Sequence, residues 1–384
     1  MDFSFSQEQN MLRETVRKLM DKHAPLEIVS EHDRAGTYPY DLHKAWADAG
    51  LMALPFSTEL GGLGGSVIDL AIIAEEISYT SADFFMAYAG GIFCGLNIER
   101  KGNDAQKQKY LPKLIAGDLR MAISISEADA GSDITAMKTR AVKTASGWRI
   151  SGDKLWCTGA GVKGTLLNVY LITDPEVNPR KGMSLFLIPN DLPGITLKKL
   201  DMLGRKSTGT YEVHFDNVEV SDDAIIGGEN SGWDCVLSGL QVERITSAAG
   251  NIGASLAVVD LASNYAAERS QFGRTIGSNQ AIAHMLADMK TKVAAARALM
   301  WQAASKVAAG ENALMEISMA KLFSSETYVE VANCGMQIFG AFGYSMEYPM
   351  QRHYRDSRSA TIAAGSSQMQ RNLIAGLMGH KISN

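Results

Sequence analysis

Cysteine and proline are scarce in this chain, and charge never gathers into runs. The four cysteines, Cys94, Cys157, Cys235 and Cys334, stand far apart without a CxxC pair, which argues against a disulfide framework and the usual zinc spacings. They read as small buried hydrophobes. The seven histidines are scattered too, with no HExxH or HxH, so metal catalysis has no support. Only 9 of 384 residues are proline, and the composition is neither disordered nor fibrous. The net charge is −5, and nothing resembles the basic stripe that holds phosphate backbones or anionic membranes. Nucleic acid is therefore not an expected partner. No apolar run reaches ~18 residues, and MDFSFSQEQN carries an acid at position 2 in place of a basic leader region. No membrane association is expected, and the chain reads as cytoplasmic.

What is present is an ordinary apolar content of 46% spread over a chain too long for one small core, which suits two or three packed regions. From Glu8 to about Gly117 the periodicity is helical. Ser66 with Asp69 reads as a helix cap ahead of an apolar face through Ile68, Ile72, Ile73 and Ile77. A second short helix is expected where Gln106, Gln108 and Tyr110 precede a stop at Pro112. Between about Met121 and Asp223 short β-rich runs take over, among them LLNVYLIT and TYEVHFDNVEV, reading as an antiparallel β domain. From Trp233 helical spacing returns, clearest in Ile282, Met285, Leu286, Met289 and Val293 of the stretch that ends at Gly310. The expected domains are 1–120, helical; 121–230, β; and 231–384, helical. Helices, then strands, then helices do not make a doubly wound nucleotide fold. GGLGGS, Gly61 to Ser66, lacks the third glycine of GxGxxG and reads as a helix entry loop.

Three stretches together resemble the acyl-CoA dehydrogenase family. SISEADAGSDITAMKTRA (Ser124 to Ala141) with KLWCTGAG (Lys154 to Gly161) is similar to its flavin-facing β segment. YAAERSQFGRTIGSNQAIAHMLADM (Tyr265 to Met289) is similar to its R-x-x-F-G…Q helix pair, and QIFGAFGY (Gln337 to Tyr344) with YRDSR and AGSSQMQRN to its C-terminal cofactor strip. The resemblance runs nearly the whole chain in order. It implies an α+β fold with an N-terminal helical domain, a middle antiparallel β domain and a C-terminal four-helix bundle, FAD between the last two, and a homotetramer.

Carried onto this sequence, the resemblance gives Ser126 and Thr158 hydroxyls for the polar edge of a flavin and Trp156 as an aromatic face beside it. A turn serine and a core tryptophan are the alternatives. Gly131 and Ser132 form a turn that admits phosphates of cofactor or ligand. Arg269 suits a pyrophosphate, with Gln271, Phe272 and Gln280 following at the family spacing, and in the family this arginine serves the FAD of a neighbouring subunit. Gln337 and Gly340 match the strip along the adenosine half, although Ala341 stands where a second glycine is common. Ser366 and Gln368 are further cofactor contacts.

The reaction implied is α,β-dehydrogenation of an acyl thioester, which needs a base for the α-proton while the β-hydrogen leaves as hydride. Most of the family keeps that base immediately before the Gly-Ser/Thr of the C-terminal strip. Here the position is Ala364. A minority, in the manner of isovaleryl-CoA dehydrogenase and crotonobetainyl-CoA reductase-like members, carries the base on the first long helix after the β domain, directly before an arginine. LSGLQVERITSAAG places Glu243 before Arg244 in that pattern. Its apolar neighbours suggest burial and a raised carboxyl pKa. Arg244 matches an arginine that contacts CoA, with a surface salt bridge as the alternative. Ala364 and Gly365 keep a backbone N–H and close approach for the thioester carbonyl. The implied partners are an acyl-CoA or acyl-carrier thioester and electron-transferring flavoprotein. An enoyl-CoA reductase, a carrier-bound acyl dehydrogenase, a flavin monooxygenase or oxidase, and a flavin-retaining scaffold remain open on the same fold.

Overall fold

Short polar side chains decide where the first helices begin. Ser6, Ser66 and Asn103 each accept a backbone N–H three residues on, and Gln9, Asp69 and Gln106 return the bond to the cap residue's own N–H. These reciprocal caps satisfy donors that a helix start leaves open. The computed structural model describes residues 5–382. Its N-terminal helices are α1 (Gln7–His23), α2 (Leu26–Ala35), α3 (Tyr40–Asp48), α4 (Val67–Thr80), α5 (Ala82–Lys101) and α6 (Asp104–Ile115). The Ser66 cap follows the glycine loop as the sequence suggests. Pro112 does not stop α6, which runs on to Ile115. Proline's fixed φ is helical, and near a C-terminus the one lost N–H bond is tolerated.

The strands are β1 (Arg120–Ser124), β2 (Arg140–Thr144), β3 (Gly147–Thr158), β4 (Thr165–Ile172), β5 (Met183–Pro189), β6 (Ile195–Leu200), β7 (Thr210–Val220) and β8 (Ile225–Ile226), with a short helix α7 (Pro179–Gly182) between β4 and β5. They form one sheet in the order β6-β7-β3-β2-β4-β5-β8, with β1 also on β4. The sheet is mixed, which corrects the antiparallel expectation: β1 pairs β4 in parallel from Arg120↔Thr165 to Ser124↔Val169, and β2 meets β4 in parallel at Arg140↔Ile172. Alternating apolar residues mark a strand but carry no direction. The long connection from β1 to β4, which contains the β2–β3 hairpin, is what permits parallel pairing. Every residue of β4 is buried, and Trp148, Phe186, Phe215 and Val213 centre the sheet's core.

The remaining helices are α8 (Gly232–Glu268), α9 (Gln280–Ala308), α10 (Leu314–Phe339), α11 (Ala341–Tyr344), α12 (Met350–Ala360) and α13 (Ser367–Leu377). Two compact units result: His32–Gly65 with Met86–Gln241, which holds the sheet, and Met1–Glu31, Ser66–Phe85 and Val242–Asn384, which is helical. In the helical unit α10 packs on α9, α12 and α13, and α4 packs on α1 and α9. Two buried carboxylates of α4 are held by arginines, Glu76 by Arg13 and Arg17 at 2.6 and 2.9 Å and Glu75 by Arg297 at 3.0 Å. A Cβ on Gly253 would lie 1.9 Å from the Glu75 carbonyl, so α8 and α4 meet backbone to backbone there. Although no apolar run stood out in the sequence, α8 is long and apolar enough to cross a membrane, and it is the one such helix among the described residues. Of its most apolar window, 78% is buried inside the protein, as in a core helix.

Candidate active site

In the sheet unit, three of the residues singled out from the sequence come together. β3 shifts register against β7 between Lys154 and Cys157, and the bulge puts Trp156 at φ 64° with 54% of its surface exposed. A bulge re-aims one side chain out of the pleat. The Leu155 N–H donates to the Ser126 carbonyl at 2.9 Å, which fixes Ser126 beside the bulge, and Thr158 ends β3 opposite Thr210. The Ser126 loop is pinned by Glu127, whose carboxylate accepts from the N–H groups of Lys138 (2.6 Å) and Thr139 (3.0 Å) and from the fully buried Lys154 Nζ (2.7 Å). Burial works against the Glu127 charge, but Lys154 and these bonds prevail and hold its carboxyl below the usual range. Ser132 lies on an exposed turn.

In the helical unit, the residues fall into two groups. The first surrounds Glu243 on α8. Burial pushes its carboxyl above the ordinary glutamate range, while Arg244 and Lys321 pull it back. The side chain keeps some accessible surface. Arg244 is 9% exposed, its Nε has no hydrogen-bond partner among the described residues, and burial opposes its charge. Across from it runs the link from α12 to α13. A Cβ on Gly365 would lie 3.7 Å from Arg244 Nη2, an ordinary van der Waals distance, and 2.7 Å from the end of the Gln370 side chain, so the link runs directly beside the arginine. Ala364 and Gly365 are both left-handed, at φ 55° and 82°. Arg244 and Gly365 are therefore neighbours, Lys321 is near the Glu243 carboxyl and bonded to the Gly365 carbonyl, and residue 364 brings no carboxylate.

Beyond the link, a cavity of about 560 Å³ is lined by Asn333, Arg358, Thr361, Ser366 and Gln368, among others. Ser366 also caps α13, its side chain accepting the Met369 N–H. Arg358, which donates to the Thr361 hydroxyl at 2.5 Å, and Lys321 were not singled out from the sequence. Arg358 stood inside the quoted YRDSR. Lys321 had one signal, a lone cation in the apolar run SMAKLF.

The second group lies at the far end of α8, roughly 40 Å from Glu243 at 1.5 Å per residue. A two-stranded hairpin, Ser270–Gln271 with Arg274–Thr275, turns through Phe272 and Gly273, both at positive φ. Phe272 is 100% exposed at its tip. The Arg269 guanidinium lies 5.6 Å from the centre of the Phe342 ring, and Tyr265 stacks on Phe339 at 4.2 Å. Arg269 is thus joined to the strip that holds Gln337 and Gly340, both exposed, while Gln280 is exposed at the start of α9. Gly340 has φ 61° and nothing within 4 Å of a Cβ.

The sheet unit thus presents an aromatic face on a bulge, and the helical unit a raised-pKa carboxyl on α8 and exposed arginine and glycine positions at the other end of that helix, groups of the kind a flavoprotein dehydrogenase uses. Comparison with known proteins agrees. Family models for the acyl-CoA dehydrogenase N-terminal, middle and C-terminal domains match residues 6–118, 122–218 and 230–378. An acyl-CoA dehydrogenase of Bacillus subtilis (strain 168) is 35% identical over 96% of this chain and 97% of its own. The mitochondrial isovaleryl-CoA dehydrogenase of Pongo abelii is 35% identical over 96% and 88%. Among solved structures, a chain from a structural study of the electron transferring flavoprotein of Acidaminococcus fermentans superimposes with a TM-score of 0.94 at 30% identity, covering 99% of this chain and 100% of that one. The chain belongs to the acyl-CoA dehydrogenase family. It is an oxidoreductase that acts on acyl-CoA with FAD as cofactor.

The residues fit that cofactor. In the sheet unit the exposed Trp156 offers an apolar face; in the helical unit the cavity beside the N-terminus of α13 offers hydroxyls, amides and the Arg358 guanidinium to a polyhydroxyl and phosphate chain, and its two carboxylates are already paired, Glu326 with Arg371 and Glu330 with Lys292.

Proposed function

We propose that Glu243 removes the α-proton of an acyl-CoA thioester while the β-hydrogen is lost as hydride, which FAD accepts when bound. The observation that carries this reading is that the Glu243–Arg244 stretch of α8 lies beside the α12–α13 link, Arg244 next to Gly365 and Lys321 near both the Glu243 carboxyl and the Gly365 carbonyl, with no carboxylate at residue 364. The base must be ionised to work, and burial raises its pKa, so it is a stronger base than an exposed glutamate. As the proton leaves, negative charge grows on the thioester oxygen, and the Ala364 N–H is the donor we assign to it. Arg244, shielded and with Nε unbonded, serves the CoA portion. Ser126, Trp156 and Thr158 hold the flavin ring, while Ser366, Gln368 and the surrounding cavity take its polar chain.

Arg269, Gln271, Phe272, Gln280, Gln337 and Gly340 are assigned to the FAD of a neighbouring copy, within a homotetramer. The distance along α8 and the exposure of this end support that assignment. The electron acceptor is electron-transferring flavoprotein, which the likeness to the Acidaminococcus fermentans chain supports, and the working compartment is the cytoplasm.

Glu243→Gln tests the base. The variant should keep FAD and lose anaerobic bleaching of the flavin by saturated acyl-CoAs by about 10³-fold or more. In the unsubstituted enzyme the bleaching rate should fall about tenfold per pH unit below the raised Glu243 pKa, because protonation removes the base. Undiminished bleaching in the variant would sink the assignment. Rapid oxidation of reduced flavin by O₂, with no bleaching by any acyl-CoA, would mark an oxidase instead.

A further inference from the structure

Lys321 lies in the middle of α10 and is 1% exposed, flanked by the buried Ile317 and Ala320. Its Nζ donates to two backbone carbonyls, Ala360 at 3.0 Å and Gly365 at 2.8 Å. Ala360 is the last residue of α12, and Gly365 immediately precedes the Ser366 cap of α13. One ammonium thereby ties both ends of the link 361–365. Gln370 Nε2 adds a second bond to the Gly365 carbonyl at 3.1 Å. Within the tied link, Ala364 holds a left-handed φ, which an alanine keeps only where its surroundings over-determine it. Among the described residues no hydrogen bond engages the Ala364 N–H.

The geometry points to Lys321 as a positioning residue for dehydrogenation: by holding the Ala360 and Gly365 carbonyls, it fixes the left-handed pair that aims the Ala364 N–H at the thioester oxygen. This inference rests on the reading of Glu243 as base and Ala364 as oxyanion donor. The ammonium stays in place throughout, so the donor needs no reorganisation when charge develops. A lysine that merely satisfied the last carbonyls of α12 would stabilise the helix end without favouring a charged ligand over a neutral one.

That contrast sets the experiment. FAD-loaded Lys321→Met and Lys321→Gln are titrated anaerobically, by flavin absorbance, with acetoacetyl-CoA, which ionises at its α-carbon and binds as an enolate, and with crotonyl-CoA, which stays neutral. The expected result is a loss of enolate affinity about tenfold greater than the loss for crotonyl-CoA, with kcat for a saturated acyl-CoA falling about 10²-fold and KM changing little. Equal weakening of both ligands, or none, overturns the inference. Gln370→Leu keeps the ammonium and removes only the second donor to Gly365. It should move the same ratio about two- to fivefold, and it decides the matter if neither lysine variant retains FAD. Glu243→Gln separates the two failures: if it bleaches normally, the base reading falls, whereas an inert Glu243→Gln beside a flat ligand ratio sinks only the role of Lys321.

Discussion

The two ends of α8 are built in opposite ways. Around Glu243 the charges are shielded: Arg244 and Lys321 are buried, and the facing link is tied by hydrogen bonds from the same unit. Around Arg269 the chain offers an exposed hairpin, a fully exposed Phe272, and the exposed Phe342 and Tyr344 beside an open glycine. A shielded end can tune a proton and an oxyanion by itself, because burial strengthens each electrostatic contact. An exposed end of aromatic and cationic groups gains its worth only when something covers it. On the proposed reading the shielded end serves the chain's own substrate, and the exposed end is covered by the cofactor of a neighbouring copy.

Subunit mixing should break or sharpen that division most strongly. At limiting FAD, Arg269→Ala should lose cofactor affinity about 10- to 100-fold, since a charge-assisted phosphate contact contributes about 1.5–3 kcal/mol. Glu243→Gln should be inert for a different reason. If Arg269 serves a neighbour, dissociating and reassociating the two variants together should restore activity to about a quarter of the unsubstituted level, because half of the random pairs are mixed and each then holds one intact site. Absence of any recovery would place Arg269 in its own chain's site. A smaller gain is expected from Ala364→Glu in the Glu243→Gln background, about 10- to 100-fold over the single variant. Lys321 lies near the Glu243 carboxyl and bonds the Gly365 carbonyl, and residue 364 already holds the left-handed φ as a non-glycine, so a glutamate adds little backbone strain there. Bleaching no faster than that of Glu243→Gln would show that the two positions do not address the same carbon.

The same contrast explains what could be read from the sequence. The helix, strand, helix order followed from periodicity, and the Ser66 cap from residue types three apart. Strand direction in the sheet did not, because pairing depends on a partner distant in sequence, and β1 finds β4 across the β2–β3 hairpin. Glu243 was singled out because two features pointed at it: an alanine where the family keeps its base, and a Glu-Arg pair on the first long helix after the sheet; the structure adds that burial raises its carboxyl pKa. Lys321 was not singled out, since a single lysine in a helical run ordinarily marks a solvated face, and only the fold shows its ammonium turned onto the α12–α13 link. Pro112 misled because a proline near a helix end deletes one bond without changing a helical φ.

Ser366 offers the smallest effect and a fine test of how the shielded end divides its labour. The sequence suggested a cofactor contact. The structure shows an N-cap, its hydroxyl accepting the Met369 N–H at 3.3 Å on the wall of the cavity. The cap was hard to see because Met369, not a glutamate or glutamine, stands at the position that completes a capping box. Ser366→Ala should cost about 1 kcal/mol of stability, a fall of about 2–4 °C or less in the unfolding midpoint for a chain of this size. Ser366→Asp keeps a good cap but adds a negative charge at the cavity wall, where a phosphate-bearing cofactor would be repelled. If the residue both caps and meets FAD, the alanine variant loses stability and some cofactor affinity, while the aspartate variant keeps its apo-protein midpoint and loses cofactor affinity more severely. Equal FAD binding by the aspartate and unsubstituted proteins would leave the cap as the residue's whole role and move the cofactor away from this wall.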